Sequence, residues 1–539
     1  MTGVHRGTDS DGGSCAEVDR ASRTDSDGGS FLFEGPLPHH TATMNLELWQ
    51  LVCLAIYCGI VIVLSVFGFH RYHMMRLFFK HRGHDPVPSR RFDELPGVTV
   101  QLPIFNEYHV VDRLLEAVDG LDYPRDRLEI QVLDDSIDET ADKARLAVDR
   151  LAGRGVDIAY IHRDDRVGFK AGALANGLTR AKHDFVFILD ADFVPPPAVL
   201  KEAIHHFTDE KLGMVQMRWG HLNRCYSLLT RLQSIFLDGH LVIEHLARNR
   251  SGRFFNFNGT AGIWRKLSIE EAGGWEHDTL TEDLDLSFRA QLAGWKFLFL
   301  PGIEVPAELP VEINAFKTQQ HRWTKGAVQT AKKILPRVWR SDFPLYVKIE
   351  ATIHLTANSS YILMLVMALL MLPVLSIRAD MVWQHRLLLV DLPLFSMATM
   401  AMSSFYLVSQ RALYADWRSQ IKYLPLLMAL GISLCINNAR AGIEGLIGHQ
   451  SDFHRTPKYG VTAQTKPGRK YVGTKTLLSL VEMFMAGYFL YILLEAWSVG
   501  LYFGIPFILL FHAGFLYTGL LSAVQPWLLR RSPRTQGAA

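Results

Sequence analysis

Four groups of residues with chemical potential follow one another within about 190 residues: Asp134-Asp135, Asp190-Ala191-Asp192, Thr281-Glu282-Asp283 and Gln319-Gln320-His321-Arg322-Trp323. Asp190 and Asp192 lie two apart, so a turn at a strand end can aim one or both at a divalent ion, and Ala191 leaves room. Mg2+ or Mn2+ favours such carboxylates together with phosphate oxygens of a substrate. Lys170, in Gly168-Phe169-Lys170-Ala171-Gly172-Ala173, offers a point charge for a diphosphate at an expected helix start, where backbone amides also favour anions. Asp283 is a candidate base, since transfer to a hydroxyl needs one and a carboxylate at a helix end is rigidly placed. Trp323 supplies an indole that stacks on an apolar sugar face, and Arg322 a guanidinium that holds phosphate oxygens at two points.

Each group has an ordinary alternative. Asp190 and Asp192 can cap the following helix, which Pro195-Pro196-Pro197 can open. Asp134, Asp135 and Asp138 can form turn hydrogen bonds, and Lys170 can be a solvated surface lysine. Acids in a first helical turn are common for dipole reasons, and an amphipathic helix can carry Gln319, Arg322 and Trp323. Trp219, Trp264, Trp275 and Trp295 read as core residues, and the histidine pairs, such as His205-His206, match no ligand pattern.

The elements that must position these groups alternate in kind. Runs 98–103, 128–133, 156–161 and 185–189 read as buried strands. Val110, Val111, Leu114, Leu115 and Val118 recur at helical spacing between the first two. Such alternation predicts βαβ units and an α/β domain with a mostly parallel sheet. Ligands bind beyond the carboxyl ends of strands in open sheets, which is where both acidic pairs fall. Thr281 reads as the N-cap of a helix containing Leu284, Leu286, Phe288 and Leu292 and stopped by Gly294. The chain has neither a Gly-rich GxGxxG fingerprint nor a phosphate-loop lysine motif, so dinucleotide and ordinary ATPase readings lose their support.

This region lies between apolar segments. Residues 48–69 carry no charge and suffice to cross a bilayer; Arg71, Arg76, Lys80, Arg82, Arg90 and Arg91 follow, with acidic residues on the other side. The positive-inside rule then places 95–345 in the cytoplasm. Further apolar stretches occupy 353–375, 388–409, 424–448, 477–497 and 499–523. If 424–448 crossed, the basic loop 449–475 would face outward, so this stretch, with Asn437, Asn438, Arg440 and Glu444 in its second half, is expected in the interface. The count becomes one span before the polar domain and four after it. Asn358, Ser359 and Ser360 are candidates either to line a channel or to pack helices.

Bulk properties agree. The chain has 539 residues, of which 49% are hydrophobic and 20% charged, with a net charge of +2. Mean hydropathy is positive. Length and hydropathy point to more than one domain with a membrane component, and the near-neutral charge gives no sign of a nucleic-acid partner. Cysteines 15, 53, 58, 225 and 435 form neither a metal-ligand spacing nor a disulfide framework. Residues 1–43 are rich in Asp, Ser and Gly, repeat Thr-Asp-Ser-Asp-Gly-Gly-Ser and read as disordered, so Met44 is a candidate start.

With Leu102-Pro103-Ile104-Phe105-Asn106-Glu107, Lys170-Ala171-Gly172-Ala173-Leu174 and Phe257-Asn258-Gly259-Thr260-Ala261-Gly262, these motifs resemble family 2 inverting glycosyltransferases of the cellulose-synthase-like group, within it the glucomannan and mannan synthases. Phe453-His454-Arg455-Thr456-Pro457-Lys458 resembles the family's gating loop. The resemblance implies a GT-A-like cytoplasmic domain at 95–345 inserted between transmembrane helices. Around it lie a disordered segment 1–43, a first helix 44–70, a basic linker 71–94, two spans plus the interfacial helix at 346–448, a gating-type loop 449–475, two spans at 476–524 and a tail 525–539. It further implies that Asp134 contacts the base region, Lys170 the diphosphate, and Asp190 and Asp192 a Mg2+ or Mn2+ ion. Asp283 would be the general base, Gln319 and Arg322 would hold the pyrophosphate, and Trp323 and Glu282 would face the acceptor. The expected activity is processive polymerisation of a beta-linked hexose polysaccharide from GDP-mannose or UDP-glucose, with export through the protein's own channel. Partners would be the nucleotide sugar, the growing polysaccharide and membrane lipid; a homo-oligomer is compatible with the sequence. The expected location is a plasma, inner or Golgi-type membrane. Two rivals are a non-processive transferase acting on a lipid acceptor and a non-catalytic export subunit. With a short stretch after the last expected span, regulation through a cyclic-di-GMP-binding domain is not expected from the resemblance.

Overall fold

In the computed structural model the described residues are 46–379, 384–449, 456–461 and 477–531, with the side chains of 384–392 and 529–531 left aside. The expected disordered segment 1–43, residues 453–455 of the gating-type motif and the end of the tail lie outside them. One compact unit begins at Leu46.

The polar region is built on a seven-stranded sheet in the order β3-β2-β1-β4-β6-β5-β7. The strands are β1 Val98–Ile104, β2 Leu128–Asp134, β3 Ile158–His162, β4 Phe185–Ile188, β5 Leu212–His221, β6 Gly262–Arg265 and β7 Lys296–Ala307. β1 runs parallel to β2 and β4, β2 to β3 and β5 to β7, while β6 alone is antiparallel, to β4 and β5. The expected mostly parallel sheet is therefore present, extended by three strands that the sequence reading did not name. Both sheet faces are covered, which is why β1, β2 and β4 are near-continuous apolar runs. One face packs Val100, Leu114, Val118, Ile130 and Phe187, the other Leu133, Leu174, Val186, Ile188 and Trp264. Polar side chains inside these runs pair across strands: Thr99 Oγ1 donates to Glu129 at 2.7 Å.

The apolar helices join the sheet directly. The Leu48–His81 helix ends by burying Met74, Met75 and Phe78 in the second core. Its His70 pairs with Glu350 at 2.9 Å, and Glu350 also accepts from Arg248 at 3.0 Å. Four helices among the described residues are long and apolar enough to cross a membrane: Leu48–His81, Leu345–Ala379, Leu478–Ser498 and Tyr502–Leu528. The expected span 388–409 falls within the Gln384–Leu413 helix, which is not one of those four. The stretch expected in the interface is a helix pair, Trp417–Ser433 and Cys435–Ile447, bent by 40°. Asn358 and Ser359 sit in a short 3-10 turn, and Ser360 Oγ donates to Ala357 O within the same turn at 2.6 Å.

Candidate active site

The carboxyl ends of β1, β2, β4 and β5 open onto one cleft. Glu107, Asp135, Arg166, Lys170, Asp190, Asp192, Trp219, Glu282, Asp283, Gln319, Arg322, Trp323 and Lys458 all line it. Residues drawn from four separate sequence groups thus meet in one place.

Each arrives for a local reason. Asp190 and Asp192 follow β4, and Asp190 N donates to Thr260 Oγ1 at 2.8 Å, which fixes the turn. Lys170 is the second residue of the Phe169–Arg180 helix, after Gly168 at φ 73°. Its Nζ donates to Asp190 Oδ1 and, at 2.8 Å, to Gly259 O. Burial disfavours this ammonium, but Asp190, Glu282 and Asp283 outweigh burial and raise its pKa. Gln319, Arg322 and Trp323 stand at i, i+3 and i+4 of the Ile313–Arg340 helix and so share one face.

Asp283 lies in the first turn of the Glu282–Leu292 helix. Desolvation, then repulsion by Glu282, push its carboxyl up to about 7, and burial also raises Glu282. Gly259, at φ 80°, lets the backbone approach: a Cβ there would stand 2.9 Å from Asp283 Oδ2 and 3.5 Å from Lys170 Nζ. The positive φ and the 2.9 Å approach to Asp283 both favour glycine there. Thr281 occupies the N-cap position as expected, but its side chain does not cap the helix; its hydroxyl lies 3.2 Å from Thr330 Oγ1. Close packing against Gly326 of the neighbouring helix fixes it there.

Asp134, expected to contact a nucleotide, is fully buried and does not line the cleft. Its carboxylate accepts from Tyr160 at 2.7 Å and from Ser136 N at 3.1 Å. The last residue of a strand covered on both faces points into the core, and the next one emerges. That residue is Asp135, which lines the cleft and takes a two-point bond from Arg163 at 2.8 and 2.6 Å. Trp219, read as core, is half-buried in the cleft wall with its ring edge-on to Phe193. Trp264 is core as expected. His221, Asn258 and Glu308 also line the cleft and were not foreseen. Trp219 and His221 end β5, so the strand-end rule finds them once β5 is recognised.

Residues 456–461 close over one side. Lys458 Nζ donates to Asp192 Oδ2 at 2.6 Å and to Glu308 O, Tyr459 N to Glu308 Oε1 at 2.9 Å, and Tyr459 OH to Glu312 at 2.9 Å. Asp190 and Asp192 present oxygen donors of the kind that suits a hard divalent cation, and each is paired with an ammonium here, Asp190 with Lys170 and Asp192 with Lys458. Among the described residues, the three-acid cluster compact enough to ligate an ion is elsewhere, at Glu276, Asp278 and Asp285. Lys333 sits inside it, 2.7 Å from Asp278 and 3.1 Å from Asp285, so that cluster is an ion-pair knot.

Residues 96–326 match the family model described as "Glycosyltransferase like family 2". This stretch is a glycosyltransferase family 2 domain. It has a GT-A-like fold, a mixed sheet of mostly parallel strands with flanking helices. The chain is 42% identical over 297 residues to "Glucomannan 4-beta-mannosyltransferase 2" of Arabidopsis thaliana, covering 54% of this chain and 55% of that protein. It is 40% identical over 279 residues to "Glucomannan 4-beta-mannosyltransferase 1" of Oryza sativa subsp. japonica, covering 51% of this chain and 53% of that one. The chain thus spans about half the length of these curated relatives. Among solved structures, the "Mannosyltransferase PcManGT from Pyrobaculum calidifontis in complex with GDP-Man and Mn2+" shares the fold, with a TM-score of 0.50 at 18% identity, over 75% of this chain and 100% of that one.

Proposed function

We propose that this glycosyltransferase polymerises a beta-mannan or glucomannan from GDP-mannose, with inversion at each transfer. The observation that carries the reading is Asp283: a half-buried carboxyl, raised to about 7 by desolvation and by Glu282, in the same cleft as Lys170, Asp190, Arg322 and Trp323. A base poised near neutrality is what proton abstraction from a sugar hydroxyl requires. Asp283 removes the proton from the acceptor's terminal hydroxyl as that oxygen attacks the anomeric carbon opposite the nucleotide. The C–O bond to the diphosphate breaks and configuration inverts. Lys170 and Arg322 bear the charge that develops on the departing diphosphate, where stabilisation specific to the transition state is most effective. Asp190 and Asp192 would hold Mg2+ or Mn2+, which supplies Lewis-acid neutralisation of that diphosphate. Trp323 and Glu282 hold the acceptor end, and Gln319 the pyrophosphate.

The relatives named glucomannan 4-beta-mannosyltransferase support mannose as the donor sugar, and the GDP-Man and Mn2+ of the archaeal structure support the nucleotide and the ion class. Processivity and export belong to the same proposal, and its support is position: the Gln319 to Trp323 face is carried on a helix whose Lys317 pairs with Glu482 of an apolar helix. Membranes given radiolabelled GDP-mannose or UDP-glucose with Mg2+ or Mn2+ should yield an insoluble, mannanase-sensitive polymer from the first donor. Label from neither donor entering polymer overturns the reading.

A further inference from the structure

Two cleft residues that the transfer leaves unused stand on one strand. Trp219 and His221 end β5 two positions apart, so their side chains share one face of the strand. The register places them against the site. His221 pairs with Ala307, and Ala307 bridges to Phe193, the residue after Asp192. Two strand spacings, about 10 Å in all, therefore separate the His221 backbone from the turn that carries Asp190 and Asp192. A short oligosaccharide spans such a distance.

The His221 imidazole is held from behind. Its Nε2 lies 3.0 Å from Asp238 Oδ1, at the end of the Leu228–Asp238 helix. Asp238 is fully buried, and its second oxygen accepts from Gln410 Nε2 at 2.8 Å. Gln410 Oε1 in turn accepts from Arg224 at 2.9 Å, and the Arg224 guanidinium stacks on Tyr414. Burying a carboxylate is costly unless its oxygens are filled, and here each is filled by a different side chain. A carboxylate only accepts, so Nε2 carries the proton and Nδ1 of the neutral ring is an acceptor. Among the described residues nothing donates to Nδ1.

The lining around this ring has a definite chemistry. Trp219, Leu237, Leu309 and Pro310 share this end of the cleft with His221, and none of them is charged. An apolar wall with one acceptor suits a neutral ligand rich in hydroxyl donors; a phosphate brings acceptors and finds no cation among these residues. We infer that His221 binds a sugar unit of the acceptor chain, its Nδ1 accepting from a hydroxyl beside Trp219, whose indole suits the apolar face of a pyranose. Asp238 is a positioning residue, which selects the tautomer and touches no sugar. The inference rests on the transferase reading for the identity of the ligand and adds to it a sugar subsite at the end of β5.

Calorimetry on the full chain in lipid nanodiscs, with GDP and Mn2+ present, titrates β-1,4-mannotetraose and cellotetraose. Two variants imitate different ring nitrogens. His221→Gln reaches Asp238 with its amide and has nothing at the Nδ1 position, whereas His221→Asn puts an amide oxygen at that position and falls short of Asp238. His221→Gln is expected to weaken binding of the preferred tetrasaccharide about tenfold, the worth of one hydrogen bond, and His221→Asn by less. Titrated alone, GDP should keep its affinity within about twofold in both. A histidine that served only to hold Asp238 gives the opposite order. Tetrasaccharide binding by His221→Gln as tight as that by His221→Asn overturns the inference, as do equal losses of GDP and tetrasaccharide or a parent protein that binds neither tetrasaccharide. If the affinity order holds but GDP-mannose transfers no sugar, the transferase reading falls and the sugar subsite stands; mannose transfer with affinities indifferent to residue 221 gives the reverse.

Discussion

Asp283 and Glu282 are adjacent carboxyls with different surroundings, and the difference sets a pH range. Asp283 must be deprotonated to accept a proton, and its pKa is raised to about 7 by desolvation and by Glu282. The initial rate is therefore expected to fall as pH drops through about 7, well above the ordinary carboxylate range. A rate profile that stays flat down to about pH 5 would remove Asp283 from the role of base. Asp283→Asn should lower turnover by about 10²- to 10⁴-fold while donor binding, read by calorimetry, stays intact. The sequence placed Asp283 at a helix start but could not reveal its protonation, because the desolvation and the repulsion by Glu282 arise from the folded surroundings. The exchange of Asp134 for Asp135 at the cleft has the same origin. Two neighbouring aspartates are alike in sequence, and which one emerges depends on where the sheet stops being covered.

At the scale of elements, the Ile313–Arg340 helix connects the site to the apolar helices. Its Lys317 pairs with Glu482 at 2.6 Å and with Ser522 at 2.6 Å, while Lys325 and His321 face Glu444 at 3.3 and 3.2 Å. Asn437 donates to Lys317 O at 2.9 Å. Lys317 and Glu482 are buried, so Glu482→Gln strands a charge and should cost about 3–5 kcal/mol of stability. Lys317→Met combined with Glu482→Leu removes both charges and should restore most of the thermal-inactivation temperature in detergent. A single variant as stable as the parent would show that the pair holds nothing in place.

β1, β2 and β4 were legible as apolar runs, and the Val111–Asp119 helix as a periodic one. β5, β6 and β7 were not, since β6 has four residues and all three are defined by pairings with strands remote in sequence. Trp219 was misplaced for that reason: a tryptophan in an unassigned run is most simply read as core. Thr281 sits at the N-cap its sequence pattern predicts, and only the direction of its hydroxyl, turned toward another helix by packing against Gly326, was not legible.

For the whole molecule, the distribution of charge predicts which face of the membrane sees the cleft. Arg71, Arg76, Lys80 and Arg82 follow the first apolar stretch, so the positive-inside rule predicts the sheet on the cytoplasmic side. Cys225 is exposed on the described surface of that domain. In a Cys15→Ser background, a membrane-impermeant maleimide should label Cys225 in inside-out vesicles and not in right-side-out ones. Labelling in the opposite vesicles would invert the topology and with it the source of nucleotide sugar.

The ion pairs along the Ile313–Arg340 helix also mean that the catalytic region has no natural seam. The family match stops at residue 326, halfway along that helix, while Glu444 and Glu482 come from segments far downstream. A soluble version trimmed to the matched stretch would carry Arg322 and Trp323 on a severed helix, its Lys317 turned from a buried ion pair toward water. Separating the cleft from the apolar helices is thus a problem of rebuilding one helix face, and no choice of end points alone can solve it.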